Sequence, residues 1–307
     1  MQYKIKIANR QYSEYTVYDN ILLRPVELKI NPVTHKLFDQ DVFSVNDESI
    51  DLIHSTIRNV KNIPGVLVLE DNKSYGVHNK KPLYRCVPDD SRLPSFLVPH
   101  KLNIGFNKHF KNKYIVFRYQ HWNDKHPRGM IEQVIGEIGI LNNFYEYQLY
   151  CKSLYASMQK FNKSTIQSLK HKTEEEYIED MYTKYRPTKI ECNNIFSIDP
   201  KKSTDYDDAF SINKVLICGQ EIGYQISIYI SNVSFWMDHL ELWNSFSDRI
   251  STIYLPDRKR PMLPTVLSDA LCSLQENRWR FAFTLNIIFD EEGNIYDTEY
   301  TNTCIKV

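Results

Sequence analysis

The sequence predicts an α+β protein: barrel-like β-units in the first 140 residues, a helical connector, then a second mixed unit. Three observations predict this order. Short apolar runs separated by turn residues fill the chain to about residue 141, helical periodicity runs from about 144 to 186, and strand-like segments return near Ile190. A chain of 307 residues exceeds the size of most single cores, so two or three domains are expected.

In chain order, residues 1–60 form an N-terminal region that can accommodate a first barrel. Residues 61–142 carry the runs GVLVLE, PLYRCV, SFLV, YIVFRY and an Ile-rich stretch over 131–141. Turn chemistry at Asp71-Asn72, Pro88-Asp89-Asp90 and 124–129 divides them, as in a small β-barrel. Residues 143–189 read as the connector: Thr173 and Glu176 have capping-box spacing, Tyr177, Met181 and Tyr185 share one face, and Pro187 ends the helix. From 190 to 307, strands are expected at IFSI, AFSI, KVLIC with a turn at Gly219, and YQISIYISNV. An amphipathic helix is expected over about 235–249, followed by a hairpin of RFAFTLNIIF and NIYDTEY around 290–294. The strand-like ending at Val307 suggests that the chain stops inside a domain.

Composition narrows the class. Net charge is zero from 38 basic and 38 acidic residues, which gives no support to an overall basic nucleic-acid binder. Positive charge is nevertheless clustered at 100–113 (Lys101, Lys108, Lys111, Lys113), at Lys160–Lys172 and at Arg258-Lys259-Arg260, each a solvated face or a phosphate track. With no apolar signal-peptide core at the N-terminus and no apolar run of about 18 residues, an intracellular protein is expected, cytoplasmic or nuclear, not secreted and not in a membrane. Cys86, Cys151, Cys192, Cys218, Cys272 and Cys304 are scattered without a C-x-x-C pair and read as buried free thiols.

The chemistry concentrates in SIDPKKSTDYDDAF, where Asp199, Asp205, Asp207 and Asp208 fall within ten residues between strand-like segments. Carboxylates held this close repel one another and are costly to desolvate together. A solvated turn would not need apolar strands at both ends. An EF-hand loop counted from Asp199 fails, because Thr204 stands where Gly is needed and Phe210 where the bidentate Glu is needed. The remaining reading is a Mg²⁺ site, with Mn²⁺ able to substitute: a hard ion that accepts carboxylate oxygens and completes its shell with substrate phosphate.

These residues carry a resemblance. IDPKKSTDYDDAF resembles the signature that opens the RNB catalytic domain of the RNase II/RNase R exoribonucleases. IYISNVS, STIYLPDRKRPMLPTVLSDALCSL and RFAFTLNIIFDEEG are similar to that family's later motifs, in the same order. Upstream, VPDDSRLPSFLVP and the Trp122…Pro127-Arg128-Gly129…Ile135-Gly136 pattern resemble the second cold-shock OB-fold of the eukaryotic branch, which includes the exosome's catalytic subunit. Tyr229 and Asn232 depart from the His and Asp usual in the family. The family's RNB domain also continues well beyond the position matching Val307, so the 190–307 part is expected to be truncated.

The resemblance implies a 3′→5′ exoribonuclease that hydrolyses single-stranded RNA to nucleoside 5′-monophosphates by two-metal catalysis. Asp199, Asp205, Asp207 and Asp208 would be its catalytic metal ligands. Tyr254 is either a nucleotide-stacking residue or a core tyrosine, Arg258 and Arg260 either contact phosphate or are surface charge, and Trp122 is a candidate RNA contact. Implied partners are single-stranded RNA, a C-terminal RNB segment in trans or an exosome-like complex. The alternative is a non-catalytic RNA-binding or complex-assembly protein built on the same scaffold.

Overall fold

The computed structural model describes residues 1–46, 49–102, 110–191, 194–201, 203–217 and 221–307. The chain divides into two compact units, Met1–Tyr155 and Ala156–Val307, each with its own core.

The first unit begins with β1 (Gln2–Ile7), β2 (Tyr15–Asp19), β3 (Pro25–Val26), β4 (Val42–Asn46) and β5 (Ser49–His54). They form an antiparallel sheet ordered β3-β2-β1-β4-β5. The alternation Lys4-Ile5-Lys6-Ile7 explains the facing of β1: both isoleucines are fully buried and Lys6 is exposed. After the short helix α1 (Thr56–Asn59) come β6 (Ile63–Leu67), β7 (Val77–His78), β8 (Lys81–Pro88), β9 (Phe96–Pro99), β10 (Lys113–His121) and β11 (Arg128–Glu137). Their order is β6-β10-β11-β9-β8-β7, and a further β6–β8 pairing curls the sheet back on itself in the manner of a barrel. Gly65 and Gly129 lie so close to Phe117 that a Cβ would meet its ring at 3.0 and 2.6 Å, so glycine is required where these strands cross the core. Helix α2 (Leu141–Cys151) closes the unit.

The second unit opens with α3 (Gln159–Ser168) and α4 (Glu174–Tyr185). The capping box is present: Glu176 N–H donates to Thr173 Oγ1 at 3.3 Å and Thr173 N–H to Glu176 Oε2 at 2.8 Å. Arg186 adopts a left-handed backbone before Pro187, which ends the helix and releases the chain into β12 (Thr188–Ile190). The sheet is completed by β13 (Asp208–Ile217), β14 (Glu221–Ser231), β17 (Trp279–Phe289) and β18 (Ile295–Lys306), in the order β12-β18-β17-β14-β13. Between β14 and β17 lie α5 (Val233–His239), the two-stranded hairpin of β15 (Ile253–Tyr254) and β16 (Lys259–Arg260), and a π-helical turn over Leu267–Leu271.

One expected element is shorter. The helix expected to 249 ends at His239, because Glu241 takes a left-handed backbone and Leu242 N–H returns to Met237 O at 2.9 Å, closing the helix end. Trp236 and Leu240 stay in the core as the periodicity indicated, while Trp243 and Phe246 are 53% and 42% exposed.

Cys86, Cys272 and Cys304 are buried free thiols and Cys151 is a half-buried one; Cys192 and Cys218 lie outside the described residues. Lys108 and the turn at Gly219 also lie outside them. Among the described residues no helix is long and apolar enough to cross a membrane.

Candidate metal and RNA site

The segment that carries the aspartates is pinned at both ends and stitched in the middle. Phe196 and Phe210 exchange two backbone hydrogen bonds at 2.9 and 2.7 Å, which fixes the chain before Asp199 and just after Asp208. Ser203 N–H donates to Pro200 O at 3.1 Å and closes a turn between Asp199 and Asp205. The Ser273 hydroxyl then holds the loop at two points, accepting from Tyr206 N–H and donating to Thr204 O, both at 3.0 Å. Leu274 N–H adds a bond to Tyr206 O at 2.9 Å, and Ser231 N–H one to Asp207 O at 2.9 Å.

Ser273 is itself held. Arg280 is 1% exposed and donates to the carbonyls of Ser273, Trp279 and Ala270 at 2.9, 2.9 and 3.1 Å, and to Glu174 at 2.7 Å. A buried guanidinium thus ties the start of α4 to the 270–273 segment, and that segment ties down the aspartate loop. Sequence reasoning missed Ser273 and Arg280; the one available signal was an arginine inside the otherwise apolar stretch Trp279–Phe283 that begins β17.

All four aspartates line one open cavity of about 540 Å³ together with Tyr254 and Lys259. Asp199 Oδ2 is buried and has no hydrogen-bond partner among the described residues. Burial raises the Asp207 carboxyl above the ordinary range, and the charges of Asp205, Asp208 and Asp199 raise it further, while Lys259 opposes them. Lys259 Nζ lies 3.1 Å from both Asp205 Oδ2 and Asp269 Oδ2. Unmet negative charge, an orphaned carboxylate oxygen and an all-oxygen donor set fit a hard divalent cation. The fit is one of chemistry rather than preassembly: among the described residues, no three His, Cys, Asp or Glu groups are gathered to hold a metal ion.

Tyr254 is 73% exposed, so it is not a core tyrosine. Arg258 is exposed and Arg260 half-buried; both belong to the Tyr254 hairpin but neither lines the cavity. Trp122 lies in the other unit and is 5% exposed, its ring 4.9 Å from that of Phe38. It is a core side chain, and an indole packed this way offers no free face for a base, which corrects its expected place among the RNA contacts. The two departures from the family pattern are framework residues: the buried Tyr229 hydroxyl is 2.9 Å from Ser211 Oγ, and Asn232 donates to Asn302 at 2.9 Å.

The other basic clusters differ in setting. Lys101 lines a separate cavity of about 420 Å³ in the first unit, with His78, Lys81 and His100. Lys160 donates to Asn244 O at 2.7 Å and Lys172 pairs with Asp180, so that stretch is engaged in local structure.

Residues 188–307 match the RNB domain, and residues 83–146 match the Dis3-like cold-shock domain 2. Ribonuclease R of Aquifex aeolicus is 40% identical over 101 residues, 33% of this chain and 14% of that protein. DIS3-like exonuclease 2 of Caenorhabditis elegans is 26% identical over 230 residues, 72% of this chain and 27% of that protein. The chain therefore spans about a quarter or less of the length of these curated relatives. Among solved structures, Mycoplasma genitalium RNase R in complex with ribose-methylated single-stranded RNA matches all of this chain over 46% of its own length, with a TM-score of 0.66 and 19% identity. Yeast Ssd1, described as a pseudonuclease, matches all of this chain over 43% of its own, with a TM-score of 0.58 and 14% identity. These two likenesses concern the fold. Residues 188–307 are thus similar in sequence to the RNB domain, and residues 83–146 to a Dis3-like cold-shock domain.

Proposed function

We propose that this chain is the cold-shock and aspartate-bearing part of a 3′→5′ exoribonuclease that hydrolyses single-stranded RNA to nucleoside 5′-monophosphates. The observation that carries the proposal is the convergence of Asp199, Asp205, Asp207 and Asp208 on one cavity, within a region of RNB-family sequence. On this reading residues 1–60 and 61–142 are the N-terminal region and cold-shock barrel, 143–189 the connector, and 190–307 the first part of the catalytic domain. A further RNB segment supplied in trans, or an exosome-like assembly, is a proposed partner.

The four aspartates would hold Mg²⁺, with Mn²⁺ able to substitute. When bound, such ions lower the pKa of water and stabilise charge on the attacking and leaving oxygens of a phosphodiester. The chain's own contribution is placement. Ser273 and the Phe196–Phe210 bonds keep the loop that carries the carboxylates in one conformation. Tyr254, with its exposed ring at the cavity, would stack or position the terminal nucleotide. Arg258 and Arg260, on the same hairpin, would meet phosphate. The basic cavity around Lys81, His100 and Lys101 would guide the single strand.

A second reading is a non-catalytic RNA-binding or assembly protein built on the same scaffold. The test follows 3′- and 5′-labelled single-stranded RNA in Mg²⁺. The leading reading predicts shortening from the 3′ end that EDTA abolishes and that blunt duplex and DNA resist. RNA retention in a gel shift without any mononucleotide release, with a C-terminal RNB segment supplied, would favour the second.

A further inference from the structure

Lys259, on the same hairpin as Tyr254, reaches the aspartate loop. Its ammonium meets Asp205 and Asp269 at 3.1 Å each and Thr204 Oγ1 at 3.3 Å, and all of these atoms belong to or border the aspartate loop. It lines the same cavity as the four aspartates. Asp269 is not one of the four: it sits on the π-helical turn, accepts from Ser268 Oγ at 2.5 Å and from Thr204 Oγ1 at 3.2 Å, and is followed by Ala270, whose carbonyl is held by Arg280. One carboxylate that lysine touches is therefore a member of the cluster, and the other is a fixed anchor outside it.

We propose that Lys259 is a resident counter-ion of the aspartate loop, which gives up Asp205 to an incoming divalent cation and is retained by Asp269. This deepens the reading above and rests on it. With four carboxylates lining one cavity, the Lys259 ammonium, beside Lys201, offsets part of the charge and keeps the loop in place before metal arrives. A lysine suits this exchange, because its compact ammonium sits on a flexible four-carbon stem and can shift a few ångströms between two acceptors without moving its strand. Asp269 sets the balance: it draws Lys259 away from Asp205 and so lowers the cost of the exchange. The device makes divalent affinity depend on a residue that need not touch the metal.

The test is Mn²⁺ binding by the full 307-residue chain, followed by electron paramagnetic resonance of free Mn²⁺ at constant pH. Lys259→Met should bind Mn²⁺ roughly tenfold more tightly, since a competing unit charge is gone. Lys259→Arg keeps the charge and should not tighten binding, which separates charge from packing. Asp269→Asn should weaken binding when Lys259 is present, and by several-fold less in the Lys259→Met background. Wild-type binding that Lys259→Met leaves unchanged or weakens would overturn the role of Lys259 while leaving the divalent site standing. No binding by the wild type or any variant would overturn both.

Discussion

The Arg280 guanidinium, 1% exposed, donates to the Glu174 carboxylate at 2.7 Å and joins the first turn of α4 to strand β17. It also donates to the backbone carbonyls of Ser273, Trp279 and Ala270, and among the described residues Glu174 is the carboxylate paired with this buried cation. Removing Glu174 leaves that charge without its counter-ion. Glu174→Ala should cost about 3 kcal/mol in urea unfolding of the second unit. The Arg280→Met/Glu174→Ala double variant should cost less than the sum of the two singles, and strict additivity would show that the pair is not coupled.

Asp41 predicts a pH effect in the first unit. It is fully buried, and burial pushes its carboxyl up to about 6 even though Phe38 N–H donates to it at 2.9 Å. Its folded-state value lies above the unfolded one, so its stabilising contribution is complete below about pH 4 and is lost as pH rises through about 6. At pH 7 the ionised form should cost about 3 kcal/mol, from a difference of about two pH units. Asp41→Asn should stabilise the first unit at pH 7.5 and give little or nothing at pH 4. Equal stabilisation at both values would contradict the burial argument.

A third prediction concerns the sheet of the second unit. Ile212, Leu216, Ile230, Phe283 and Tyr300 are between 46% and 68% exposed, and Phe283 stacks on Tyr300 at 6.0 Å. Ile230 is the cross-strand neighbour of Asp208 and of Phe283, so this apolar face begins beside the aspartate loop. Exposed apolar area on this scale promotes association. Leu216→Lys with Phe283→Thr should lower dye binding by the free chain and raise its solubility, as read by 8-anilinonaphthalene-1-sulfonate fluorescence and light scattering. No change in either would mean that this face is not the sticky one.

Much of this arrangement was legible in local sequence. The Thr173–Glu176 spacing is a local device and appears as a capping box. Ile226, Ile228 and Ile230, alternating along the YQISIYISNV run, all lie within strand β14, on the face opposite the buried Ser227 and Tyr229. The aspartates stood out because four charges between apolar strands are costly without a cation. What stayed hidden depends on distance along the chain. Lys259 reaches Asp205 across 54 positions only because β15 and β16 fold back over the loop. Ser273 and Arg280 act mostly on backbone groups that the fold brings to them, and the arginine in β17 is the one side-chain signal of that arrangement. Trp122 belonged to a motif, and a motif does not say which way a ring points; here it points into the core beside Phe38. The helix beyond His239 followed a periodicity that the left-handed backbone at Glu241 interrupts.

The aspartate loop should take up a divalent cation, and Asp207 is the sharpest probe of it because its carboxyl feels burial and all three neighbouring aspartates. The measurement is Mn²⁺ affinity of the chain before and after Asp207→Asn, which removes one charge and keeps the side chain's size, with single-stranded RNA affinity measured in parallel without metal. Mn²⁺ affinity should fall at least about tenfold while RNA affinity holds or rises, as phosphates then face less negative charge. Equal Mn²⁺ affinity in the two proteins would contradict it.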